Sequence, residues 1–285
     1  MTAAATPDRV VTSRDGTPIA IFESGTAATG TRPLVLVHGT TSDHLTFRVV
    51  GPRLGLRRRL FAIDRRGRGA SGDGPGAYSI AREFEDVAAV TDALAAKTGG
   101  PVDVIGHSFG GRTALGAALL TQAIGKVVSY EGAPAAPGRP YQDPELVDRL
   151  LALLERGDPE GVLESFMRAI VGFDDEAMAR FRADPVWPLR VAAAHTIVRE
   201  LREEVSPVAS LEELGRVRNP VLQVLGTESR RPFHEATEAL DNRLADGTIA
   251  RIRGAAHGAH HSHPDAFVTV VEAFLDGRSL EGGPA

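Results

Sequence analysis

From Val102 to Leu120 the chain reads VDVIGHSFGGRTALGAALL. An apolar, β-branched run stops at Gly106-His107-Ser108-Phe109-Gly110-Gly111, and apolar residues then resume at helical spacing. A continuous apolar run is the mark of a strand buried on both faces, and parallel strands are joined by crossover helices. A strand that turns at once into a helix is therefore half of a parallel crossover unit. This corner constrains the fold more than any other stretch.

The rest of the chain repeats the unit. PLVLVHG from Pro33, LFAID from Leu60, KVVSYEG from Lys126 and PVLQVLG from Pro220 read as buried strands. The stretch from Ser79 to Gly99 carries apolar residues at three- and four-residue steps and stops at two glycines, so it is predicted helical. IARIRG and the helix DAFVTVVEAFLDG close the pattern, and RVVTSRDGTPIAIFESG opens it as a hairpin around Asp15-Gly16. Strands alternating with helices predict an α/β fold: a mostly parallel central sheet flanked by helices, with the hairpin as its antiparallel edge.

Between about Ala133 and Val217 the buried-strand runs cease and only helical patterns remain. Asp143, Asp158 and Asp174 are expected to cap these helices and Gly157 and Gly172 to end them. The expected organisation is a first core segment at 1–133, a helical cap at 134–217 and a second core segment at 218–285. Ser279–Ala285 is expected to fray.

The chain has no cysteine, which excludes disulfides, thiolate metal ligands and cysteine nucleophiles. A net charge of −5 gives no invitation to nucleic acid or an anionic membrane. Arg57-Arg58-Arg59 and Arg65-Arg66 are expected on solvated loops. No run reaches the roughly 18 apolar residues of a membrane span, and MTAAATPDRVV does not read as a signal peptide. A cytoplasmic protein that binds a small molecule is expected, with no cofactor and no metal; homodimerisation stays open.

Gly106-x-Ser108-x-Gly110 between strand and helix is the pattern of a nucleophile elbow, in which a strained serine stands above a helix N-terminus. The Phe109 amide would face a developing oxyanion there, and the amide of Thr40, in His38-Gly39-Thr40, would supply the second donor. His38 itself is expected to brace its loop. Asp64, in DRRGRGASG, is read as a loop anchor. The C-terminal GAAHGAHHSHP brings His257, His260, His261 and His263. With no cysteine or carboxylate cluster beside them, a metal site is disfavoured, and His257, just past the last strand, is the candidate base.

The motifs HGTT, DRRGRGAS, GHSFGG and GAAH, in this order and each at a strand end, resemble the α/β-hydrolase superfamily over nearly the whole chain. The resemblance implies a Ser–His–acid triad and a helical cap over the site. The usual acid position, Gly-x-x-Asp after PVLQVLG, reads Gly226-Thr227-Glu228-Ser229 here. Some branches, haloalkane dehalogenases among them, carry the acid after the preceding strand, where this chain has Glu131. Glu131 is therefore favoured and Glu228 is the alternative; Asp241 and Asp246 are expected to face solvent on the following helix.

The expected function is a serine hydrolase of the carboxylic-ester type, acting on a small ester, lactone or thioester through an acyl-enzyme. Non-hydrolytic members of the fold (a cyclase, lyase or ligand receptor) and a cofactor-free perhydrolase or acyltransferase are the alternatives. Phe166, Phe173, Trp187 and His195 are the cap residues singled out as a substrate pocket.

Overall fold

The structure is a computed structural model that describes residues 5–280. Beyond Leu280, the end expected to fray lies outside the described residues, as do the first four residues of the N-terminal stretch.

The strands are β1 (Arg9–Thr12), β2 (Pro18–Ser24), β3 (Leu34–Val37), β4 (Leu60–Ile63), β5 (Val102–His107), β6 (Ile124–Tyr130), β7 (Val221–Gly226) and β8 (Gly247–Ile252). They form an eight-stranded sheet in the order β1-β2-β4-β3-β5-β6-β7-β8. β1 and β2 pair antiparallel, and β2 pairs antiparallel with β4; every other neighbour is parallel. From β3 the chain moves outward to β4, then returns to the other side of β3 with β5. Such a reversal opens a crevice at the carboxyl ends of the two strands, here the ends that carry His38–Thr41 and Ser108.

Alternation along each strand feeds two cores. Val35 and Val37 of β3 join Phe61, Val104 and the helices Ile80–Thr98 and Phe109–Ala118 on one face. Leu34 and Leu36 join Leu60, Ile105, Val128 and the C-terminal helix Pro264–Leu275 on the other.

Between β6 and β7 the chain is helical, as predicted: Leu146–Glu155, Pro159–Phe166, Asp175–Ala183 and shorter turns up to Leu214. Asp158 and Asp174 accept the amides of Gly161 and Ala177, capping their helices. Asp143 instead accepts from Glu145 N, one residue before its helix begins. Apolar residues of this block, among them Leu150, Leu163 and Ile197, join the same core as Val35 and Phe109. Among the described residues no helix is long and apolar enough to cross a membrane.

Two expectations are corrected. Arg58, Arg65 and Arg66 are buried rather than solvated, each held by carboxylates distant in sequence. Arg58 donates to Glu272 and Asp276, Arg65 to Glu83 and Glu200, and Arg66 to Asp86 and Asp15. A guanidinium leaves water only when its donors find such partners. Asp246 is exposed in the turn before β8, outside the helix, and Asp241 accepts a 3.1 Å hydrogen bond from Gln223.

Candidate active site

The corner after β5 is as tight as its glycines imply. A Cβ on Gly106 would lie 2.2 Å from the Gly110 carbonyl oxygen, and one on Gly110 would lie 2.3 Å from that of His38. Only bare glycine lets strand, helix and the β3 loop meet at this distance. Ser108 sits between them at φ 54°, ψ −125°, its amide donating to Tyr130 O at 2.7 Å. Among the described residues the non-glycine left-handed backbones are Thr41, Ser108 and Glu131. Such strain costs about 1–3 kcal/mol per residue and gathers where geometry is functional. All three stand at the carboxyl ends of neighbouring strands.

His257 lies on the loop after β8 and is buried. Its Nδ1 donates to Glu131 Oε2 at 2.6 Å. The other carboxylate oxygen of Glu131 accepts from Gly226 N at 2.8 Å and Ser229 Oγ at 2.5 Å. The serine in the superfamily's usual acid position therefore donates a hydrogen bond to the glutamate at the end of the neighbouring strand. Glu228 is exposed, and its carboxylate receives a 3.4 Å contact from Thr227 Oγ1. The Phe233 ring stacks on the His257 imidazole with centroids 4.4 Å apart.

The backbone around His257 is held on both sides. The Tyr130 hydroxyl donates to Ala256 O and accepts from Ala259 N. His107 Nε2 donates to His257 O at 2.9 Å, which fixes the His107 tautomer because a carbonyl only accepts. Burial holds the His107 imidazole well below its ordinary value, and the facing His257 adds to this. His260, its ring tilted against that of His107 with centroids 4.4 Å apart, is lowered in the same way. His38 braces its loop: Nδ1 donates to Gly39 O and Nε2 accepts from Arg65 N. Asp64 accepts from His44 N and Ala70 N, tying its loop together.

Two cavities meet at Ser108, and Thr40 and Phe166 line both. The larger, about 620 Å³, contains His257 in its wall together with Phe173, Arg190 and His261. The smaller, about 30 Å³, is walled by Phe109, Arg112, Glu131, Tyr141, Glu204 and Phe233, among others. Of the four cap residues singled out from the sequence, Phe166 and Phe173 line the larger cavity. Trp187 and His195 do not: Trp187 packs edge-on against Phe181, and His195 is exposed, donating to Ala192 O. Both belong to short helical turns whose helical face no periodicity could orient.

Arg112, Glu200 and Glu204 were not anticipated. A lone arginine in the apolar run FGGRTALGAALL is the signal that could have found Arg112; nothing local marks the two glutamates. Among the described residues no group of three or more His, Cys, Asp or Glu is arranged to hold a metal ion.

This fold and this corner are those of a hydrolase scaffold, and comparison with known proteins agrees. Residues 34–270 match the model of the alpha/beta hydrolase family, and the chain belongs to that family. An alpha/beta hydrolase from Sphaerobacter thermophilus is 30% identical, superposes with a TM-score of 0.78, and is matched over 94% of this chain and 100% of its own. The N-formylmaleamate deformylase of Pseudomonas putida is 28% identical over 85% of this chain and 88% of its own length. The pimeloyl-[acyl-carrier protein] methyl ester esterase of Neisseria meningitidis is 24% identical over 86% and 93%.

Proposed function

We propose that the protein is a serine hydrolase that cleaves a small-molecule ester, lactone or thioester through an acyl-enzyme, with Ser108 as nucleophile, His257 as base and Glu131 as acid. The observation that carries this reading is the 2.6 Å contact between His257 Nδ1 and Glu131 Oε2, with Ser108 strained at the wall of the same cavity.

The contact leaves His257 Nε2 free of its proton and turned to proton transfer. As Ser108 Oγ attacks the carbonyl carbon, its proton passes to Nε2 and the C=O electron pair moves onto oxygen. The amides of Thr40 and Phe109 receive that oxyanion. Collapse expels the leaving group, which takes the proton from Nε2. A water then repeats the sequence on the acyl-enzyme, releasing the acid and restoring the serine. Glu131 keeps the tautomer and balances the imidazolium throughout. The deformylase and esterase named above support hydrolysis at a carbonyl, and the helical block over the cavities serves as the cap that selects the substrate.

The test is intact mass after exposure to a small fluorophosphonate, wild type beside Ser108→Ala. One phosphonyl adduct on the wild type and none on the variant is expected. A folded wild type that takes no adduct would remove the activated serine and the reading with it.

A further inference from the structure

The leaving group must receive its proton from His257. It therefore departs on the side of Ser108 that His257 lines, which is the large cavity. His257 does not line the small compartment, which shares only the serine, Thr40 and Phe166 with the large one. On the serine-hydrolase reading proposed above, we infer that the small compartment receives the acyl group, and that it selects a short, neutral, hydrogen-bonding acyl chain of the hydroxyacyl kind.

Size gives the first half of the argument. About 30 Å³ of free space holds about two waters or a stub of a few heavy atoms. The walls that set this limit are buried: Tyr141, Phe166, Leu201 and Phe233 are each at most 6% exposed. Tyr141 is further fixed by donating its hydroxyl proton to Ala133 O at 2.8 Å.

Chemistry gives the second half. Arg112, 3% exposed, anchors Nη2 on Ala133 O, yet its Nε and Nη1 make no hydrogen bond with any described residue. Nη1 and Glu204 Oε2 form a 2.7 Å ion pair that is out of line for a hydrogen bond, so both atoms keep unused hydrogen-bonding capacity. Glu200 Oε2 is in the same state, with the residue 1% exposed. Buried donors and acceptors with unused hydrogen-bonding capacity on residues that line one small space are costly unless a ligand meets them.

The charges decide which ligand. Arg65, Arg68 and Arg112 stand against Glu83, Glu200 and Glu204, and Glu131 adds a fourth buried carboxylate to the same wall, so no positive charge is left unmatched for an anion. A hydroxyl, by contrast, accepts from Arg112 and donates to a glutamate without adding charge. A long alkyl chain would leave Arg112 Nε and Glu200 Oε2 buried without a hydrogen-bond partner.

The experiment compares 4-methylumbelliferyl esters with one leaving group and five acyl groups: glycolyl, acetyl, butyryl, hexanoyl and hemisuccinyl. Each kcat/KM is divided by the ester's spontaneous hydrolysis rate. Glycolyl is expected to exceed acetyl by about tenfold, the worth of a charge-assisted hydrogen bond. Hexanoyl is expected to fall about 30-fold or more below acetyl through overpacking, and hemisuccinyl to fall below acetyl as well. Glu204→Gln should bring the glycolyl-to-acetyl ratio to within about threefold of one. Leu201→Ala should raise hexanoyl relative to acetyl by about fivefold or more.

Hexanoyl at or above acetyl, hemisuccinyl above glycolyl, or a glycolyl-to-acetyl ratio near one in the wild type would each overturn the inference. So would phosphonylation of Ser108 with no turnover of the acetyl and glycolyl esters. Absence of phosphonylation would instead sink the hydrolase reading on which the inference rests.

Discussion

Glu131 reaches His257 from the end of β6, one residue past the strand, and its left-handed backbone aims the carboxylate along the sheet edge toward the loop after β8. On the proposed mechanism Glu131→Gln keeps the size but cannot hold the imidazole in the right tautomer. We expect kcat to drop by about 10³–10⁴-fold, while Glu228→Gln stays within about threefold of wild type. Steady-state hydrolysis of an acetyl ester by the two variants checks this. A larger loss in Glu228→Gln would reverse the assignment.

Gly106 is a steric necessity that stability should report directly. Gly106→Ala drives a methyl to 2.2 Å from a backbone carbonyl, which no side-chain movement relieves. A loss of about 3 kcal/mol or more in urea unfolding is expected, or failure to accumulate as folded protein. Gly100→Ala, with nothing within 4 Å, is the matched control and should stay within about 0.5 kcal/mol. Equal midpoints for the two would show that the elbow is looser than its contacts imply.

These two positions mark what the sequence could and could not tell. The elbow was legible because its reason is local: a buried strand, a glycine corner and a helix are adjacent in the chain. The eight strands and the helical block were legible for the same reason, through period and stop signals. Ser229, by contrast, looked like a missing acid until the fold set it 2.5 Å from Glu131, 98 residues away. Arg65 and Arg66 looked like solvent-facing charges because their partners, Glu200 and Asp86, are invisible to any local window. Trp187 and His195 stand out in the sequence by bulk and rarity, and neither property says which way a short helical turn faces. Local pattern thus carried the scaffold, and long-range pairing decided the site.

Glu200 illustrates that pairing in energetic form. It is 1% exposed and receives Arg65 Nη2 at 2.6 Å and Arg68 Nη2 on the same oxygen. Burial pulls the Arg68 guanidinium down to about 10. Glu200→Gln leaves two buried guanidiniums short of a counter-charge, and removing one partner of such a set costs about 3–5 kcal/mol. The urea midpoint should fall accordingly. Arg149→Gln, at an exposed ion pair with Asp143, should lose less than about 1 kcal/mol. A Glu200→Gln variant within that same margin would mean that the buried network merely offsets its own desolvation.

Buried imidazoles set how the fold responds to acid. His38, His107 and His260 are held well below 6.5, first by burial and then by nearby charge: Arg65 and Arg68 for His38, and neighbouring histidines for the other two. His261 is lowered to about 4 by burial and by Arg48 and Arg190, with Asp184 opposing. The folded chain therefore refuses protons that the unfolded chain accepts once the pH drops below about 6.5. Because the unfolded state binds more protons there, stability is full above 6.5 and drains as the pH falls toward about 4. The urea midpoint, measured at half-unit steps from pH 7.5 to 4, should be level at first and then decline with a slope of several protons. His261→Asn should flatten that slope by about one proton between pH 6.5 and 4, and a midpoint independent of pH down to 5 would show that these histidines take up protons in the folded chain after all.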